Sequence, residues 1–188
     1  MFKRLSERLI SLSKGWVALV AVVVFLLFSA LVLPGQSAQS RARLGDGAQP
    51  DTSLVYSADD LYRMAEAFGP GGRQAYIQAR LTFDVIWPLV YAFFLITTIS
   101  WLADRAFRPG SSWRLLNLVP VLGIVLDFLE NGASVIVMAR YPLHTPVIDL
   151  LAPIFTFSKW VFVGGSFVVL LVVAAVAGWR WIARRPAM

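Results

Sequence analysis

The sequence predicts an all-α integral membrane protein: a four-transmembrane-helix bundle with an extracytoplasmic helical insert between the first and second spans. Three observations predict it. Of 188 residues, 58% are hydrophobic and only 15% charged, more apolar material than a soluble domain of this length covers with polar surface. The apolar residues gather into four runs long enough to cross a bilayer. Basic residues flank those runs instead of forming one patch, so the net charge of +6 reads as membrane orientation, and no nucleic-acid partner is expected.

Residues 1–15 set Phe2, Leu5, Leu9, Ile10 and Leu12 among Lys3, Arg4, Arg8 and Lys14, the pattern of a basic amphipathic helix at a membrane surface. The first span, 16–34, opens at Trp16 and ends at Pro34-Gly35. A cleaved signal peptide with a site near Ser37-Ala38 is the competing reading. The long apolar stretch and long basic region favour an uncleaved signal anchor.

Residues 35–81 form the insert. Its first part, 35–56, is rich in Gly, Ser, Gln and Asp and reads as a loose solvated strap. A helix over 57–68 follows, with Ser57 as its cap and Asp59 and Asp60 on the positive end of its dipole. Leu61, Met64, Ala65 and Phe68 share one face of it. Gly69-Pro70-Gly71-Gly72 breaks that helix. Without a preceding strand or a following Lys-Ser/Thr these glycines read as a turn, not a phosphate loop. A further helix from near Arg73 is expected to run directly into the second span, 82–103, where Pro88 sits.

A short basic connection, 104–114, leads to the third span, 115–138. An outer loop, 139–150, leads to the fourth, 151–178, and 179–188 is the tail. With both termini inside, the cytoplasmic segments hold ten basic residues (Lys3, Arg4, Arg8, Lys14, Arg105, Arg108, Arg114, Arg180, Arg184 and Arg185) against six in the much longer outer segments. The expected location is therefore the cell (plasma or inner) membrane, with both ends cytoplasmic.

The third span carries the chemistry. Asn117, Pro120, Gly123, Asp127, Glu130, Asn131 and Ser134 recur at steps of three or four, which places them on one helical stripe. Acids at the middle of a span cost roughly 2.5–3.5 kcal/mol each even on lenient insertion scales, so they must face the bundle interior. The fourth span offers Thr156, Lys159 and Ser166 on a matching stripe, the second Arg80, Asp84, Trp87, Tyr91 and Thr98. At 1.5 Å per residue Glu130, Lys159 and Tyr91 all lie about 12–15 Å below the outer boundary. They are expected in one layer with Asp127 and Asn131, with Asp84, Arg80, Arg140 and Tyr141 in a second layer nearer the outside. Trp87 is a candidate cavity wall, and Arg80, Trp87 and Arg140 the expected outer rim.

The plain reading is that Lys159 neutralises Asp127 or Glu130 and pins the helices together. Counting leaves one carboxyl in surplus, to be protonated or to meet something bound. Gly164-Gly165 reads as a close helix approach, Thr97-Thr98-Ser100 as hydroxyls bonded to backbone or a neighbouring helix, and His144 as a surface residue.

Absent cysteines exclude disulfides, thiolate metal sites and thiol redox chemistry, and with them the cysteine-bearing outer loops of claudins and tetraspanins. One histidine excludes a bis-histidine haem within the chain. No metal and no cofactor are expected. The expected function is a non-enzymatic accessory subunit or a lipid- or amphiphile-binding protein. Membrane lipids, a larger complex or self-association supply the partners. The alternatives are an intramembrane acid–base enzyme on a lipid-like substrate and an oligomeric proton- or ion-coupled transporter.

Overall fold

The computed structural model describes residues 1–45, 47, 49–50 and 53–183. Arg184 and Arg185 of the tail, and Asp46, Ala48, Asp51 and Thr52 of the strap, lie outside the described residues. The described chain is all helical. Its elements are α1 (Phe2–Leu12), α2 (Gly15–Leu31), α3 (Leu33–Leu44), α4 (Ala58–Leu81), α5 (Phe83–Ala106), a 3₁₀ segment (Ser112–Leu118), α6 (Val119–Arg140) and α7 (Ile148–Ala183). Four helical stretches are long and apolar enough to cross a membrane, namely Gly15–Leu44, Ala58–Ala106, Ser112–Arg140 and Ile148–Ala183.

Proline chemistry decides several boundaries. Pro34 carries no N–H, so the ladder breaks at Val32. The chain then restarts as a helix because proline is tolerated in a first turn. The expected loose strap is thus wrong over its first part: residues up to Leu44 are helical, and Leu44 packs against Phe68, Tyr76 and their neighbours. Pro120 likewise opens α6, so the third span starts as 3₁₀ and becomes α-helical only at Val119.

From Ser57 to Gly69 the insert is helical, as its sequence suggests. Ser57 accepts from the Asp60 amide, and Asp60 accepts from the Ser57 amide, a reciprocal capping box. Asp60 also pairs with Arg63. Gly69 leaves the helical region at φ 61°, a conformation open to glycine at little cost. Arg73 spans the break, donating from Nη1 to the Ala65 carbonyl at 2.7 Å. Leu61 and Ala65 are fully buried against Val137, Met138 and Ala152, with Met64 and Phe68 beside them. The insert is therefore held on the end of the bundle by apolar packing. Tyr56 Oη lies 2.9 Å from Thr156 Oγ1, and Tyr62 Oη donates to Asp149 at 3.1 Å.

The helix after Gly69 does not run straight into the second span. Thr82 takes a non-helical conformation (φ −121°, ψ −82°) and its hydroxyl donates back to the Gln78 carbonyl at 2.7 Å. A hydroxyl competing for its own backbone ends α4 there, and α5 starts at Phe83.

The α6 and α7 pair is the most extensive helix contact. The two helices are tightly packed at Gly123, where a Cβ would lie 3.1 Å from Val163 Cγ2. Gly164 and Gly165, expected to play this part, have no neighbour within 4 Å of a built Cβ. The helix face with the polar stripe meets α7, as the Glu130–Lys159 contact shows, and Gly123 lies on that stripe.

At the opposite end from the insert, α1 docks on the bundle through Ser6 and Ile10. Ser6 Oγ donates to the Arg114 carbonyl at 3.0 Å, and Asn117 Nδ2 donates to the Ser6 carbonyl at 3.2 Å and to Ser100 Oγ at 2.9 Å. Arg114 is buried between Asp104 (2.8 Å) and Glu7 (3.1 Å). The C-terminal part of α7 packs on Ala103 and Ala106 at this same end. The first described helix and the last turns of the last one thus lie at one end of the bundle.

Candidate functional site

All seven residues of the predicted stripe on the third span are buried. Leu122, Val125, Phe128, Leu129 and Ile136, on its other faces, are exposed. A 3.6-residue period turns that alternation of chemistry into one inward polar line.

Lys159 on α7 reaches the α6 stripe. Its Nζ lies 2.7 Å from Glu130 Oε2 and 3.8 Å from Asp127 Oδ1, and Glu130 is fully buried. Asp127 has two further partners. Tyr91 donates from its hydroxyl to Oδ2 at 2.7 Å, and Asn131 donates from Nδ2 to Oδ1 at 3.3 Å. Tyr91, Asp127, Glu130, Asn131 and Lys159 therefore meet in one cluster. Glu130 Oε1 and Ser134 Oγ, one turn further along, have no hydrogen-bond partner among the described residues.

The second, outer layer is not separate. Arg80, at the end of α4, lies 3.2 Å from Asp84 Oδ2 and donates from Nη1 to Asn131 Oδ1 at 3.1 Å. Asn131 also donates to the Asp84 carbonyl at 3.1 Å. One amide thus joins Arg80, Asp84 and Asp127 into a single network. Within it three carboxylates face two cations. The surplus acid inferred by counting persists in the assembled cluster.

Arg140 and Tyr141 do not belong to it. Arg140 is exposed at the end of α6, and Tyr141 lies under the Arg73 guanidinium, 4.5 Å from ring centroid to Cζ. On the fourth span Thr156 bonds Tyr56, and Ser166 donates to its own Phe162 carbonyl, so Lys159 is the one member of that stripe in the cluster. Thr97 donates to the Phe93 carbonyl and Ser100 accepts from Asn117. His144 is exposed and lies beside the Tyr62 ring.

A cavity of about 410 Å³ opens onto the network. Its polar end is made by Arg80, Asp84, Tyr91, Asp127 and Lys159. Its walls are apolar and aromatic: Leu33, Phe83, Trp87, Pro88, Trp160, Val163 and Phe167. Trp87 is a wall, as the stripe analysis suggests, and is held by stacking on Phe25 and Phe28 of α2 at 5.8 and 5.7 Å. A second cavity of about 230 Å³ adjoins it through Leu33, Ser37, Arg80, Phe83 and Asp84 and is lined further out by Gln36, Ser40, Arg41 and Gln49. The contribution of α3 to both cavities was hidden in the sequence, because a polar Gly/Ser/Gln stretch carries no helical period. No group of three or more potential metal-ligating side chains occurs among the described residues.

Glu130 takes the short contact with Lys159 and does not line the cavity, whereas Asp127 and Lys159 both do. The site accordingly presents a carboxylate and an ammonium side by side at the end of an apolar slot. Comparison with protein-family models, curated proteins and solved structures gives no match.

Proposed function

We propose that the chain is a multi-pass protein of the cell membrane, with both ends cytoplasmic, that binds a lipid or other amphiphile in the cavity at Asp127 and Lys159. The observation that carries this reading is the union, in one cavity, of a charged end and aromatic walls. Ligand sites are concave, mostly apolar, and supplied with a few convergent polar groups. The apolar slot suits a chain or ring, and the charged end suits a headgroup. The surplus carboxylate favours a headgroup that is cationic or donates a hydrogen bond to Asp127, with Phe83, Trp87 and Phe167 among the aromatic side chains around it. Binding in this reading needs no chemistry, so the protein acts as a carrier, sensor or accessory subunit for such a molecule.

The test is native mass spectrometry of the full-length chain purified in a mild detergent. A bound amphiphile at one per chain is expected, lost in Leu33→Trp, which fills the slot, and in Asp127→Asn. A chain that carries no adduct under lipid-replete extraction, or an adduct retained equally by both variants, overturns the reading.

The contact of Tyr91 with Asp127, beside Lys159, favours a second reading, an acid–base enzyme acting on the bound molecule. A paired carboxylate and a polarised hydroxyl are what proton abstraction beside a carbonyl requires. A change in the mass of the bound amphiphile on incubation, abolished by Tyr91→Phe, distinguishes it from simple binding.

A further inference from the structure

At the end of the bundle where α1 docks, a separate groove of about 700 Å³ runs between the C-terminal turns of α5 and the C-terminal part of α7. Three arginines line it: Arg105, Arg108 and Arg180. None of them forms an ion pair among the described residues. Arg105 donates to the Trp101 carbonyl at 2.8 Å and lies over the Trp101 ring at 3.9 Å. That contact fixes the guanidinium and offsets the negative end of the α5 dipole without consuming its charge. The acid in the lining, Asp104, is already held by Arg114 at 2.8 Å.

The floor is open because α7 presents Ala174, Ala177 and Gly178 there, and a Cβ on Gly178 would meet nothing within 4 Å. Going inwards from this end, α5 lines the groove with Arg105, Leu102 and Trp101, and α7 with Trp181, Arg180, Gly178, Ala177 and Ala174. In a membrane this arrangement suits a phospholipid: cationic groups near headgroup level, small and apolar residues deeper on both helices, and an indole on each side.

We infer that this groove is a binding site for one anionic phospholipid, its phosphate held by Arg105, Arg108 and Arg180 and its acyl chain lying along Leu102 and Ala174. The inference rests on the membrane reading proposed above but not on the Asp127–Lys159 cavity, which lies nearer the other end of the same helices. Basic pockets between membrane helices recognise acidic headgroups. Planar guanidinium groups match phosphate oxygens in pairs.

The test uses the full-length chain reconstituted in phosphatidylcholine vesicles, whose recovery with the vesicles on flotation checks the membrane reading by itself. Tryptophan quenching by dibrominated phosphatidylglycerol is compared with quenching by the same fraction of dibrominated phosphatidylcholine. A preference of roughly ten-fold or more for the anionic lipid is expected. It falls several-fold in Arg105→Gln/Arg108→Gln/Arg180→Gln and measurably in Arg108→Gln alone, an exposed side chain whose loss leaves the fold intact. Lys3→Gln/Arg4→Gln/Arg8→Gln removes the same formal charge from α1 and keeps the preference. Equal quenching by the two lipids, equal loss in both triple variants, or abolition of the preference by soluble glycerol phosphate overturns the assignment.

Discussion

Lys159 sits 2.7 Å from Glu130 and 3.8 Å from Asp127, so one ammonium serves two carboxylates that lie one turn apart on the facing helix. Removing the cation strands both acids in a buried position. Lys159→Met is expected to destabilise the protein by about 3–5 kcal/mol, the cost of leaving a buried charge without its partner. Lys159→Met/Glu130→Gln should recover most of that loss, since Asp127 keeps its bonds from Tyr91 and Asn131. Thermal unfolding in detergent of the two single variants and the double variant gives the coupling directly. Additive losses would show that the close pair contributes nothing as a pair.

The two glycine sites make opposite predictions. Gly123→Leu pushes a side chain into Val163 and forces α6 from α7, an overpacking cost of about 1–3 kcal/mol. Gly164→Ala meets open space and gains helix propensity, up to about 1 kcal/mol. Melting temperatures moving in opposite directions confirm that the helix contact is set on α6. A fall with Gly164→Ala would place it on α7 instead.

The dock of α1 hangs on few polar contacts, of which Asn117 supplies the bond to the Ser6 carbonyl. Asn117→Leu leaves that carbonyl and the Ser100 hydroxyl without this donor and is expected to cost about 1–3 kcal/mol locally. The readout is tryptic cleavage after Arg4 and Arg8, which should quicken while cleavage elsewhere does not.

The first turn of α4 should respond to acid. The Ser57 hydroxyl and amide, and then Arg63, hold the Asp60 carboxyl well below the usual carboxylate range. A carboxyl whose folded value is depressed stabilises the turn above its ordinary value, near pH 4. That contribution is lost as the pH falls through the lower folded value. Amide exchange over 58–62, corrected for intrinsic rates, should therefore quicken below pH 4 in the native chain. The response should be much weaker in Ser57→Ala, which also loses about 1 kcal/mol of cap.

How much of this was legible in the sequence depends on whether a period or a composition carried the signal. The buried stripe from Asn117 to Ser134 was readable because seven polar or small residues kept helical spacing within an apolar run. The shared depth of Tyr91, Glu130 and Lys159 followed from the rise per residue alone. Composition misled over 35–44, where Gln, Ser and Gly suggested a strap although nothing in them prevents a helix that packs on α4. The stop at Thr82 was invisible, because it depends on a hydroxyl returning to Gln78, a local choice that many threonines do not make. Arg140 was assigned to the rim by depth. Depth fixes height along a helix but not azimuth, and its azimuth points outwards.

Asn131 is held by α6, accepts from Arg80 on α4 and donates to a carbonyl of α5. A single amide therefore works as a linchpin between the insert and the charged interior. Any tilt of α4 pulls on Arg80, and Arg80 cannot leave without unbalancing the acid beside Lys159. The position of α4 and the surroundings of Asp127 are thus tied together through one side chain and three hydrogen bonds.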